Sequence, residues 1–150
     1  MSILATIAAA RRDGNVQAIA DAIPHASFLG LETEIVAADG APRLVTRLPH
    51  DPRHIGNPLL PALHGGVVAA FLQLTGAIEL LWRLESESLP RSINITVDYL
   101  RPARAETLYA SGIITKLGRR VANVRVEAWQ EDASRPVAHG HAHYLVVPPA

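Results

Sequence analysis

Apolar and polar positions divide the chain into a helical opening, one central helix and a run of strands. Residues 2–23 are alanine-rich and helix-like, with Gly14 as a break and Pro24 as the stop, because proline lacks the amide a helix interior needs. Two strand-like pieces follow, residues 28–37 and 42–48, and Asp39-Gly40 between them is a hairpin signal. Residues 50–62 carry Pro52, Pro58 and Pro61, too much proline for a helix or a central strand. Residues 65–84 are apolar nearly all round, the pattern of a buried helix. Beyond them the period is two. In SINITVDYL, Ile93, Ile95, Val97 and Tyr99 face one way and Asn94, Thr96 and Asp98 the other, and Pro102 ends the run. Residues 107–118, 119–132 and 136–147 form three further strands, with turns at Gly118 and residues 131–136. The spacing predicts an antiparallel meander. One greasy helix and about six strands make an α+β chain whose sheet must curl round the helix to bury it.

At 150 residues the simplest organisation is one domain over 1–150, large enough for a real core. Hydrophobic residues make up 49%, which excludes a disordered chain. The 14 basic and 14 acidic residues cancel, which argues against a nucleic-acid binder. Of the basic residues only Lys116 is lysine. Arginine suits planar contacts to phosphate and carboxylate, although a codon bias gives the same composition. The absence of cysteine removes disulfides, thiolate metal sites and a cysteine nucleophile, and is compatible with a cytoplasmic protein. The first apolar run precedes Arg11 and Arg12, the reverse of a secretory signal. No apolar run is read as reaching the roughly 20 residues that span a bilayer, so no membrane partner is expected.

The segment PALHGGVVAAFLQLTG concentrates the candidate chemistry. The first amides of a helix lack intrahelical partners and sit at its positive end. Glycine lets a ligand approach them closely, and an N–H aimed at a carbonyl stabilises a developing oxyanion. Gly65-Gly66 also serves a tight loop-to-helix turn. His64 either contacts substrate or caps the helix. Gln73 is one amide on an oily segment and needs a partner or water. Glu79 lies six residues on, about 240° round the helix, so it points elsewhere. Asp98 reads as solvated or paired with an arginine. His54 can serve as a base if its loop folds over the pocket. His139, His141 and His143 share one strand face, about 6.6–7 Å apart, a straight row that cannot surround a tetrahedral ion, so no metal is expected.

HGGVVAAFLQLTG followed by SINITVDYLRPA, GRRVANVRVEAW and AHGHAHYLV resembles the hotdog-fold thioesterases, in particular the PaaI-like acyl-CoA thioesterases. The resemblance runs from about residue 28 to the C-terminus. It implies a hotdog fold, a long helix wrapped by a curved antiparallel sheet, in a homodimer or homotetramer with sites between subunits. It assigns the oxyanion donor to Gly65, with Gly66 beside it, and a positioning role to His64. Relatives typically carry Asp or Glu nine residues after the histidine, reaching across the dimer as nucleophile or base. Here that position is Gln73, which cannot take a proton. The resemblance also implies that Ser92 helps hold the attacking water. It places Asn57 near the thioester, one residue further from the glycines than in relatives. Coenzyme A, as part of the substrate, is implied to meet basic residues: Arg101, Arg104, Lys116, Arg119 and Arg120. The function implied is thioester hydrolysis to acid and free thiol. The alternatives are an acyl-CoA-binding protein that does not hydrolyse and, more remotely, a dehydratase or hydratase.

Overall fold

The computed structural model describes residues 2–85 and 88–147. Three short helices open the chain: α1 (Ile3–Arg12), α2 (Gln17–Ala22) and α3 (Pro24–Phe28). Ser2 Oγ accepts from the Ala5 amide and caps α1. Pro24 does not end the helical segment. It occupies the first position of α3, where the missing N–H is one the helix never uses. Residues 28–31 therefore finish α3 and turn at Gly30 (φ +70°), and the first strand starts later than predicted.

The strands are β1 (Glu32–Val36), β2 (Arg43–Leu48), β3 (Ile55–Asn57), β4 (Ala62–Leu63), β5 (Arg91–Tyr99), β6 (Leu108–Leu117), β7 (Val121–Trp129) and β8 (Ala138–Leu145). The long helix α4 (Gly65–Arg83) lies between β4 and β5. Six strands form one antiparallel sheet in the order β1-β2-β6-β7-β8-β5. The meander holds for β6, β7 and β8 only. β5 does not sit beside β6; it pairs with β8 from Arg91↔Leu145 to Tyr99↔Ala138 and forms the far edge of the sheet. The proline-rich loop is more ordered than its composition predicts. It holds a 3-10 turn at Pro52–His54 and the small β3–β4 pair that delivers the chain to α4.

α4 packs across the concave face. Phe71, Leu72, Ile78 and Leu80 are fully buried against Leu44, Leu108, Val124 and Val126, each burial contributing about 1.5–3 kcal/mol. Small residues on β8 let the helix approach closely. A Cβ on Gly140 would lie 3.4 Å from Leu72 Cβ, and Gly76 admits the Tyr144 hydroxyl, which a Cβ there would meet at 2.4 Å. Arg11 donates to the carbonyls of Leu81 and Leu84 and so closes the C-terminus of α4. By length and composition α4 is apolar enough to cross a membrane (19 residues, hydropathy 1.5), contrary to the reading from sequence. Its hydrophobicity serves the core, where half of that segment is buried by the sheet and the N-terminal helices.

One irregularity changes a face. The β5–β8 register shifts between Ser92 and Asn94, a β-bulge. Simple alternation puts Ser92 on the polar side with Asn94. The bulge turns it to the helix side, opposite Tyr144. Asn94, Thr96 and Asp98 stay on the convex face against His143, His141 and His139.

Candidate active site

At the mouth of α4 the first amides are taken, with one exception. Gly66 N–H donates to His64 Nδ1 (2.9 Å), and the amides of Val67 and Val68 donate to the His64 carbonyl (3.0 and 3.1 Å). The Gly65 amide bonds no described residue. It is the free donor at the positive end of a 19-residue helix. His64 is thus a helix cap: its Nδ1 is committed to Gly66, and the neutral ring carries its proton on Nε2. Tyr99, at the end of β5, donates its hydroxyl to the Gly65 carbonyl (2.7 Å) and stands its ring beside the glycine.

Two recesses flank this mouth. On the Gly65 side a cavity of about 490 Å³ is lined by Asn57, Leu63, Val68, Tyr99 and Arg101. On the Gly66 side a cavity of about 370 Å³ is lined by His25, Phe28, Leu29, His54, His64 and Val67. Asn57 Oδ1 accepts from the Leu59 amide (3.0 Å), so part of this side chain is spent holding its own turn. The Arg101 guanidinium is tied to the Pro136 carbonyl (2.9 Å) and adjoins a cleft that also holds Arg104 and Arg135.

Gln73 and Ser92 meet at the other end of the exposed half of α4. Gln73 Nε2 donates to Ser92 Oγ (2.5 Å), and the Tyr144 hydroxyl donates to the Gln73 carbonyl (2.5 Å). Burial pushes the Tyr144 phenol well above its ordinary value, so it remains a donor at any ordinary pH. Gly65 and Gln73 are eight residues apart, about 12 Å at 1.5 Å per residue. One chain therefore does not bring the Gly65 amide to the glutamine. The β6–β7 turn carrying Arg119 and Arg120 lies at the Ser92 end, since Ala122 pairs with Tyr144 and Tyr144 with Ser92.

A family model of the thioesterase superfamily matches residues 60–137, from Leu60 ahead of HGG to Val137, the residue before β8. The chain belongs to that superfamily. A relative in Escherichia coli K12, the medium/long-chain acyl-CoA thioesterase YigI, is 32% identical over 137 residues, covering 83% of this chain and 86% of its own. A solved Chromobacterium violaceum protein is 38% identical with a TM-score of 0.74, covering 94% of this chain and 96% of that one. A Bacillus halodurans protein solved with CoA shares the fold at 21% identity, with a TM-score of 0.73 over 99% of this chain and 93% of its own.

The remaining candidates sort by burial. Glu79, the one carboxylate on the helix, is 5% exposed beneath β6 and receives Arg83 Nε (2.8 Å). Burial raises its pKa above the ordinary carboxylate value, with Arg83 opposing. It lines a separate notch with Leu44 and Gly112, far round the helix from Gln73. The three histidines of β8 share the convex face as predicted. His143 bonds Asn94 (2.7 Å), and among the described residues no group of three or more His, Cys, Asp or Glu is arranged to hold a metal ion. Asp98 is exposed and enters no ion pair among the described residues. Sequence reasoning missed Tyr99 and Tyr144 as site residues. The signal for Tyr144 was Gly76, a gap on the helix shaped for a hydroxyl.

The loop of His54 does fold over the helix mouth, and it sets the ring in the wall of the Gly66-side recess. The residue is 8% exposed, and Nδ1 is buried with no partner among the described residues. A stranded buried N–H is the costlier orphan, which favours the neutral tautomer with its proton on Nε2.

Proposed function

We propose that this chain is an acyl-CoA thioesterase of the PaaI-like branch, acting as a homodimer whose sites are shared between subunits. The observation that carries the reading is the unpartnered Gly65 amide between two recesses at the mouth of α4. The thioester oxygen accepts from this amide. Water attacks the carbonyl carbon, the amide stabilises the oxyanion, and collapse releases the carboxylic acid and the thiol of coenzyme A.

β5 supplies the geometry for a shared site. It is an edge strand with one open side, and Ile93, Tyr99 and Leu100 are exposed along it. Antiparallel pairing of two copies about Ile95 sets the Tyr99 end of one against the Ser92 end of the other. Gly65 then faces Gln73 and Ser92 of the second copy, which hold the attacking water by amide and hydroxyl. Arg101 and Arg104, with Arg119 and Arg120 arriving from the second copy, meet the phosphates of coenzyme A. The apolar recess walls suit a medium- or long-chain acyl group, the class named for the Escherichia coli relative.

The test is thiol release from a panel of acyl-CoA thioesters, with no cysteine in the protein to add background. Wild type is expected to turn over. Mixtures of Gly65→Pro and Gln73→Ala chains are expected to rise above the activity of either variant alone, because mixed dimers hold one intact site. Turnover with no regain in exchanged mixtures would show that each site lies within one chain. Sedimentation then decides between dimer and tetramer.

A second reading, acyl-CoA binding without hydrolysis, rests on Gln73. No carboxylate joins the Gln73–Ser92 pair among the described residues. Tight calorimetric binding with no thiol release across the panel selects it.

A further inference from the structure

We propose that the recess on the Gly66 side binds the acyl arm of the substrate and that His54 reads an oxygen on that arm, so the preferred acyl groups carry a hydroxyl or keto substituent. This rests on the hydrolase reading. Two arms leave a thioester held at Gly65, and two recesses flank the Gly65–Gly66 pair, one lined by each glycine. The recess beside Tyr99 is lined by Arg101 and by no carboxylate, whereas the other recess has only Arg53, which Asp51 neutralises, so the polyphosphate arm belongs beside Arg101 by charge. The acyl arm is left with the recess of about 370 Å³, walled by Phe28, Leu29, Val67 and Ala70.

That recess is not uniformly apolar. Its imidazoles are His25, His54 and His64. His25 stacks on Phe28 at the rim (ring centroids 5.9 Å apart), and His64 is spent on the Gly66 amide. His54 is nine-tenths buried, and neither ring nitrogen bonds any described residue. A buried polar ring without a partner in an otherwise satisfied wall marks the place of a ligand atom. With Nδ1 sealed away, the group offered is the Nε2 N–H, which calls for an oxygen acceptor. Arg53 at the mouth does not compete, because Asp51 holds it in a fork with the shortest contact at 2.7 Å. These hydrogen bonds from Arg53 hold the Asp51 carboxyl far below its usual range, so the mouth carries a settled ion pair.

The position of His54 is fixed by main chain. Its carbonyl accepts from the His64 amide (2.8 Å), and Ile55 pairs with Leu63. Gly56 lies against His64 so closely that a Cβ would come within 2.6 Å of His64 Cα. The donor is thus held at a set offset from the Gly65 amide, as a selective contact requires. The N-terminal segment acquires a role as well: α3 supplies Phe28 and Leu29 and closes the recess.

The experiment compares kcat/KM for straight-chain acyl-CoA substrates with their 3-hydroxy and 3-keto counterparts at equal chain length. Wild type is expected to favour an oxygenated series by about tenfold or more, the worth of one net hydrogen bond. His54→Leu is expected to lose that preference while still hydrolysing the plain chains. His54→Gln, which keeps an N–H donor in the wall, is expected to retain part of it and guards against a loss caused by misfolding. Equal rates on both series in wild type overturn the proposal, as does a preference that survives in His54→Leu. Absence of turnover on every substrate removes the hydrolase reading itself, a result distinct from turnover without preference.

Discussion

At the Gly65 end of α4 the chemistry belongs to the main chain, whereas at the Gln73 end it belongs to side chains. The Gly65 amide is placed by helix geometry alone. Its neighbours are consumed by His64, and a glycine pair opens the approach. The Gln73–Ser92 pair depends on a bulge in β5, on the Tyr144 hydroxyl and on a gap at Gly76. A main-chain donor survives almost any change in side-chain identity, and it is also the harder of the two to tune. The side-chain end is open to tuning, because exchanging the Gln73 amide for a carboxylate would add a proton acceptor there. Glu79 makes the same point from inside the core. It is a carboxylate six residues beyond Gln73, yet burial and Arg83 give it a structural task.

The sharpest way to break this comparison is Gly65→Pro. His64 already has extended backbone (ψ 130°), as a residue before proline needs, and proline is welcome at the first helical position. The variant deletes the N–H and keeps the helix. Thiol release is expected to fall about 100-fold or more with the circular dichroism spectrum unchanged; a small loss would move the oxyanion donor elsewhere. Gly76→Ala attacks the support of the other end. The added methyl meets the Tyr144 hydroxyl at 2.4 Å. Overpacking of about 1–3 kcal/mol outweighs the helix-propensity gain of about 1 kcal/mol, so the melting temperature should drop.

Gln73→Ala is expected to lower kcat about tenfold with little change in KM, since it removes one hydrogen bond to the water and none to the acyl chain. An unchanged kcat would reduce Gln73 to a packing residue. The smallest effect is expected from Glu79→Gln, and its sign depends on pH. The folded state raises the Glu79 pKa, so folding binds its proton more tightly than unfolding does. The stability this contributes is complete below the unfolded carboxylate value and declines as pH rises through the folded one. Thermal melts from acid to neutral pH should fall more steeply for wild type than for Glu79→Gln.

The sequence by itself determined the long helix, the strands after it and the glycine pair at the helix mouth. A long apolar stretch opened by HGG can bury its length only inside a curled sheet, and period-two runs after it can only be that sheet. A glycine pair at a helix start leaves a free amide wherever the fold goes. These are local consequences of periodicity and backbone geometry. The strand order, with β5 at the edge, was decided by tertiary structure, because pairing partners far apart in sequence leave no mark on alternation. So was the inward turn of Ser92, since a single extra residue in a ladder flips a side chain without changing the composition around it. The same holds for His54. Its residue type was visible in the loop, but only the β3–β4 pair and α3, folded together, bury the ring and leave its nitrogens without a partner among the described residues.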